Sequence, residues 1–223
     1  MQPADHEPQK RAAAQRALEL LEPGMVVGIG TGSTTRFFIE GLAGRRVAVV
    51  PTSRTSADLA RAAGLEVLED TREAIDLAID GADEIDDQLR LVKGHGGALF
   101  REKMVATAAR RFVVIADDSK LVDRLGRTFV PVEVAPFLWS HTVARLGRLG
   151  AGCELRGGET SPYRTDNGNL IVDLTYAEGI SDPEHLAVTL KATTGVLEHG
   201  LFLGLARGAI VAGAGGVRVL GEL

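Results

Sequence analysis

A single cysteine, Cys153, among 223 residues leaves no partner for an intramolecular disulfide, which suits a reducing cytoplasm. An isolated cysteine outside any partner motif reads as a small packing residue rather than a catalytic thiol. Long apolar runs are missing too. None approaches the ~18 residues needed to cross a bilayer, and the start MQPADHEPQK has no signal-peptide core. Basic surplus is absent: 25 Lys and Arg stand against 30 Asp and Glu, a formal charge of −5. That balance argues against a duplex nucleic-acid binder. It does not exclude a local phosphate site, which a few backbone N–H groups and one Lys can supply in an acidic protein. No Gly-Lys dipeptide occurs, so a Walker-type phosphate loop is out. The histidines, at 6, 95, 141, 185 and 199, show no ligand spacing, and no zinc site is expected; carboxylates alone leave Mg²⁺ open. The expectation is a soluble cytoplasmic chain with neither membrane nor nucleic acid as partner.

What is present is a globular composition, 45% hydrophobic and 25% charged, long enough for one large and one small core. Residues 1–8 read as a frayed end and Lys10–Leu21 as a helix stopped by Glu22-Pro23-Gly24. Strands are expected at 25–30, 46–50, 77–80 and 112–116. Helices are expected at 34–42, 53–63 and 98–111. Such alternation points to a parallel sheet with helices on both faces, and ligands then sit beyond the carboxyl ends of the strands. The rhythm changes near Arg127. Strands at 128–134, 153–156, 170–175 and 196–203, helices at 137–149 and 183–193, and the Asp166-Asn167-Gly168 turn give a β-α-β-β-α-β order. The fold class is therefore α/β: a Rossmann-like domain over 1–126 and 204–223, and a smaller ferredoxin-like domain over 127–203. The run Ala209–Ala212 returns to the first domain, and Phe137-Leu138-Trp139 is expected in the core of the second.

Four polar segments follow strand ends. In Gly28-Ile-Gly-Thr-Gly-Ser-Thr34 the glycines allow a sharp turn and close ligand approach, and the next helix presents free N–H groups. Thr31, Ser33 and Thr34 add hydroxyls. The spacing is GxGxG rather than GxGxxG, and the second strand ends at Val50-Pro51-Thr52 without a ribose-binding acid, so a nicotinamide site is not indicated. A sugar-phosphate cradle and a tight turn capped by Ser33 are the two readings, the cradle preferred. In Asp80-Gly-Ala-Asp83-Glu84-Ile-Asp86, clustered acids repel, which favours proton transfer or a grip on sugar hydroxyls; an acidic turn or a divalent-metal site is the alternative. In Lys93-Gly-His-Gly-Gly-Ala-Leu-Phe-Arg101-Glu102-Lys103, Lys93 can offset charge on an enolate oxygen. Spacing alone favours an ordinary solvated helix face for Arg101-Glu102-Lys103. Ala116-Asp-Asp-Ser-Lys120 offers Lys120 to a phosphate or forms a solvated turn.

Taken in order, these segments closely resemble the ribose-5-phosphate isomerase A family. The matching stretches are GIGTGST (28–34), DGADEID (80–86), KGHGGAL (93–99) with REK (101–103), and the loop ending at Lys120. PVEV (131–134) and TDNGN (165–169) resemble that family's smaller domain. The resemblance implies interconversion of ribose 5-phosphate and ribulose 5-phosphate in the pentose phosphate pathway, without cofactor or metal, by a homodimer or homotetramer. It makes Glu102 the base. It implies that Thr31, Gly32, Ser33, Thr34 and Lys120 bind mainly the phosphate end. Asp80, Gly81, Ala82, Asp83, Lys93, Gly94, His95 and Gly96 would line the reacting end. His95 departs from the family's common glycine, which bears on the shape of that turn and not on the chemistry if its side chain points outward; the residues alone, read as exposed loop, give it no role. Three rivals carry less support: an amino-sugar-phosphate deaminase lacks its histidine motif, a sugar-phosphate sensor lacks a basic segment, and a CoA-transferase would use a glutamate as nucleophile.

Overall fold

The computed structural model of the protein describes residues 6–149 and 152–223. In chain order the elements are α1 (Glu7–Ala17), β1 (Val26–Ile29), α2 (Ser33–Gly41), β2 (Ala48–Pro51), α3 (Arg54–Ala62), β3 (Glu66–Val67) and β4 (Leu77–Asp80). There follow β5 (Glu84–Ile85), β6 (Leu91–Val92), α4 (Leu99–Ala108), β7 (Phe112–Asp117) and β8 (Phe129–Val134). The rest are α5 (Trp139–Leu146), β9 (Gly152–Leu155), β10 (Leu170–Thr175), α6 (Pro183–Ala192), β11 (Val196–His199), β12 (Leu201–Phe202), β13 (Gly208–Gly213) and β14 (Gly216–Gly221). No helix among the described residues is long and apolar enough to cross a membrane.

The chain packs as two compact units, one of Met1–Ala82, Arg101–Lys120 and Gly204–Leu223, the other of Asp83–Phe100 and Leu121–Leu203. Residues 83–100 and 121–126 pack with the second unit instead of the first. The chain therefore passes between units inside DGADEID and again between KGHGGAL and REK.

The first unit is built on a seven-stranded sheet in the order β14-β13-β7-β4-β1-β2-β3. All its pairings are parallel except β13 with β14. Strands β1, β4 and β7 are buried at every position, as continuous apolar runs in a doubly covered parallel sheet should be. Phe38, Ile39 and Leu42 of α2 and its exit, with Ala13, Ala14 and Ala17 of α1, close the core around Val27, Ile29, Leu77, Ile79, Val113 and Ile115. Strand β1 lies between β2 and β4, so successive strands leave it in opposite directions. That is the switch point at which an open α/β sheet leaves a crevice.

The second unit holds a four-stranded antiparallel sheet, β11-β8-β10-β9, and a small three-stranded sheet, β12-β6-β5. Numbered from β8, the larger sheet has the order 4-1-3-2 with a helix after its first and third strands, which is the ferredoxin-like arrangement expected. Its core gathers Val130, Val132, Val134, Leu146, Leu155, Leu170, Val172, Leu174 and Leu190, with Val92, Leu125 and Leu201.

Several local expectations need correction. Helix α1 begins at Glu7, with Pro8 in its first turn, where a missing N–H costs nothing, so residues 7 and 8 are not frayed; residues 1–5 lie outside the described set. The N-cap of α2 is Gly32, with no side-chain cap, so Ser33 is not the capping residue. The expected strand at 196–203 is two strands divided at Gly200, whose N–H goes to Pro131 O (2.7 Å) while its carbonyl takes the N–H of Lys93 (2.8 Å). In the 166–168 turn only Gly168 takes a positive φ (81°). Phe137 and Leu138 are 82% and 56% exposed and are not core residues. Cys153 is a free, partly buried packing residue, and burial pushes its thiol pKa up.

Candidate active site

Within the first unit, the carboxyl ends of β1 and β4 meet at Asp80. This carboxylate is 4% exposed, and its Oδ1 accepts from the N–H of Gly81 (2.7 Å), the N–H of Thr31 (3.2 Å) and Thr35 Oγ1 (3.5 Å). A Cβ on Gly30 would fall on that carboxylate group, so position 30 must be glycine for the two strand ends to close on each other. Gly32 sits at φ 138°, a backbone conformation that β-carbons resist. Beyond it, Ser33 and the buried Thr34 open α2, and no side chain caps its first-turn N–H groups.

Thr31 is held from the next strand. Its Oγ1 donates to Ser53 Oγ (2.7 Å) and lies 2.9 Å from Thr52 Oγ1. Thr52 and Ser53 thus belong to the loop's support, and the sequence reading missed them. The signal was available in Ser53 and Ser56, whose reciprocal bonds cap α3. At the end of β7, Ser119 donates from both N and Oγ to Asp117 Oδ1, folding 118–120 into a 3₁₀ turn with Lys120 at its end. His6 Nδ1 lies 3.9 Å from the same Asp117 oxygen. With Asp118 these residues gather possible metal-ligand atoms within 4.8 Å, a grouping the linear spacing of the histidines does not reveal.

Glu102 lies in the first turn of α4 and is 4% exposed. The solvated-face reading of Arg101-Glu102-Lys103 is therefore wrong at its central residue, although Met104, two positions on, is 59% exposed. A carboxylate buried near a helix N-terminus gains from the dipole there.

Within the second unit, Asp83, Lys93, Gly94, His95 and Gly96 come together. Lys93 follows β6, is 2% exposed and places Nζ 5.5 Å from the Phe202 ring centroid. Gly94 has φ 101°, and a side chain there would collide with Leu99 and Pro131. Asp83 accepts the N–H of His95 at Oδ2 (3.0 Å), and its Oδ1 lies 3.5 Å from His95 Nδ1. His95 does not point outward: its ring stacks on Phe129, with centroids 3.9 Å apart. On the other side of the loop Arg156 donates to the carbonyls of Gly94 (3.3 Å) and His95 (3.0 Å). Arg156 is itself fixed by two bonds to Asp173 (2.8 and 2.6 Å). No local pattern marks Arg156, since the carbonyls it binds lie about 60 residues earlier.

The acids of DGADEID do not form one repelling cluster. Glu84, fully buried, accepts the N–H groups of Gly126 (2.7 Å) and Thr128 (2.5 Å), and Asp86 holds Arg90 Nε (2.6 Å). Both are structural anchors. That leaves Asp80 as the bracket of the glycine loop and Asp83 beside Lys93 and His95.

An open, mainly parallel α/β sheet with a glycine loop and hydroxyls at its switch point belongs to the class of fold that takes small ligands there. Comparison with known proteins makes that class specific. Residues 48–216 match the model of the ribose 5-phosphate isomerase A (phosphoriboisomerase A) family. Ribose-5-phosphate isomerase A of Roseiflexus castenholzii is 49% identical over 218 residues, 93% of each chain. The solved ribose 5-phosphate isomerase A of Methanocaldococcus jannaschii has a TM-score of 0.92 at 35% identity, covering 98% of this chain and 100% of that one. A D-ribose-5-phosphate isomerase solved in complex with phospho-erythronic acid has a TM-score of 0.92 at 39% identity, covering 97% and 99%. The chain belongs to the ribose 5-phosphate isomerase A family.

Proposed function

We propose that the chain interconverts D-ribose 5-phosphate and D-ribulose 5-phosphate through an enediolate, with Glu102 as the base that moves the carbon-bound proton. Glu102 takes the proton from C2 of the open-chain aldose and returns it to C1, while the hydroxyl proton leaves O2 and reaches O1. Family membership supplies the substrate pair. The burial of Glu102 in the first turn of α4 is the observation that carries its role, because a solvated glutamate would have no reason to turn inward. Lys93, also buried, offsets the charge on the enediolate oxygens. Asp83 moves the hydroxyl protons and assists ring opening. Asp80 shares that work at the reacting end, and its Oδ1 also positions Thr31 and Gly81.

Gly32, Ser33 and Thr34 at the start of α2, with Thr31 and Lys120, take the phosphate. Gly81, Ala82, Gly94, His95 and Gly96 line the sugar. The phosphate, remote from the reacting carbons, supplies binding energy that fixes the sugar chain in register. The phospho-erythronic acid bound by the related isomerase fits this scheme, since a phosphorylated aldonate presents a carboxylate where an enediolate would carry its charge. The same reading places the protein in the cytoplasm as a homodimer or homotetramer with no cofactor. A lone free cysteine supports the compartment, and exposed Phe137 and Leu138 are available to a subunit contact.

The test is turnover of ribose 5-phosphate, with proton exchange from C1 of ribulose 5-phosphate into solvent, for the parent and Glu102→Gln in EDTA. The variant should lose about 10²–10⁴ in kcat, the usual worth of a positioned base, with KM little changed. Near-normal turnover would remove Glu102 from the mechanism. Loss of parent activity in EDTA would show that a metal is needed.

A further inference from the structure

We propose that His95 is a positioning residue for the isomerisation, holding both carboxylate oxygens of Asp83 in place through its backbone N–H and its Nδ1. The proposal rests on the reading of Asp83 as the group that moves the sugar's hydroxyl protons.

The argument begins with the ring. His95 Nε2 lies 3.0 Å from the carbonyl oxygen of Phe129. A carbonyl can only accept, so Nε2 carries a hydrogen. Thr128 Oγ1, 3.4 Å away, can adapt as donor or acceptor and does not alter that assignment. The opposite nitrogen, Nδ1, faces Asp83 Oδ1 at 3.5 Å. At that distance the two side chains form an ion pair when the imidazole carries a proton on both nitrogens. Asp83 Oδ2 meanwhile accepts the N–H of His95 at 3.0 Å. One residue thus engages both oxygens.

The grip is rigid because the loop is held from its other side. Arg156, tied to Asp173, binds the carbonyls of Gly94 and His95, and Tyr163 Oη donates to the carbonyl of Gly96 (3.4 Å). The peptide between Gly94 and His95 therefore has its C=O on Arg156 and its N–H on Asp83. Stacking on Phe129 fixes the ring plane, so χ1 and χ2 of His95 are both set by packing. A carboxylate oriented in this way is preorganised for transfer to a substrate hydroxyl, and loss of the orientation falls on kcat rather than on binding.

The two amide variants separate the contacts. In His95→Asn the Nδ2 stands where Nδ1 stood and donates toward Asp83, while in His95→Gln the Nε2 reaches the Phe129 carbonyl and leaves Asp83 with the backbone N–H alone. Kinetics with ribose 5-phosphate should show His95→Gln slowed by about 10- to 100-fold in kcat with KM held within about twofold. His95→Asn should recover most of that loss, and Asp83→Asn combined with His95→Gln should be no slower than Asp83→Asn alone. The proposal is overturned if the Asn and Gln variants are equally impaired, if the double variant multiplies the two losses, or if KM rises with kcat preserved. A slow Asp83→Asn beside a fully active His95→Gln also overturns it and leaves the reading of Asp83 standing. A fully active Asp83→Asn removes that reading and the proposal together.

Discussion

Two carboxylates three positions apart, Asp80 and Asp83, have different surroundings. Asp80 spends one oxygen on Thr31, Gly81 and Thr35, and Asp83 turns to His95. Nothing in the spacing distinguishes them. The difference arises because β4 ends against Gly30, whose missing side chain admits the Asp80 carboxylate. Tyr176 shows the opposite case, a polar atom with no partner. Its hydroxyl is buried and makes no hydrogen bond among the described residues, and burial, helped by the nearby Cys153, pushes its pKa up to about 12. The phenol is neutral when protonated, so folding favours the protonated form. Its contribution is complete below the unfolded value of about 10 and is lost as pH rises through about 12. Tyr176→Phe should therefore match or exceed the parent melting temperature at neutral pH and lose less between pH 10 and 12. A lower neutral-pH melting temperature would mean the hydroxyl has a partner. The glycine loop and Lys93 stand out by local pattern, whereas Glu102 does so only through the ordered resemblance, since spacing alone reads it as part of a solvated helix face. The tasks of His95, Thr52 and Arg156 were not legible, because they depend on partners brought in by tertiary packing.

Elements that bury a continuous apolar run were readable to within a residue or two. Leu77–Asp80 and Leu170–Thr175 fall where the pattern puts them. The two-residue strands Glu66–Val67, Glu84–Ile85 and Leu91–Val92 were missed because two positions carry no periodicity. Helix α3 has the clearest terminus signal. Ser53 Oγ accepts the N–H of Ser56 and Ser56 Oγ accepts the N–H of Ser53, both at 3.0 Å, so each serine satisfies the other's donor. Ser53 Oγ also receives Thr31 Oγ1, which joins the cap to the glycine loop. Ser53→Ala should cost about 1 kcal/mol in denaturant melts, the usual worth of a serine cap, and free Thr31 to rotate. Ser53→Gly, which keeps most of the cap preference, should cost only a few tenths of that scale. Equal losses in the two variants would place the effect in the Thr31 contact and not in the cap.

At the scale of the molecule, the informative feature is where the chain changes units. Composition and rhythm suggest a break near Arg127, because there the alternation of strand and helix gives way to a hairpin pattern. Packing draws the second unit to include 83–100 and 121–126. The reasons are physical. Val92 and Leu125, no more than 1% exposed, belong to the same core as Val130 and Leu174. Among the described residues, strand β12 pairs with β6 alone, through Leu201–Val92 and Phe202–Leu91. The buried Glu84 satisfies the amides of Gly126 and Thr128, and Val122 donates to the carbonyl of Ile85 (2.9 Å). Removing two large buried side chains costs about 2–5 kcal/mol each by cavity formation, against a typical total stability of about 5–15 kcal/mol. A fragment of residues 127–203 should therefore bind hydrophobic dye and melt without a sharp transition. Residues 83–100 joined by a flexible Gly-Ser linker to 121–203 should instead melt cooperatively, because the linker restores Val92, Leu125 and Glu84 at little entropic cost. Equal midpoints in the two fragments would place the boundary of the folding unit back at Arg127, and would reduce the 83–100 segment to a loop that the larger sheet does not need.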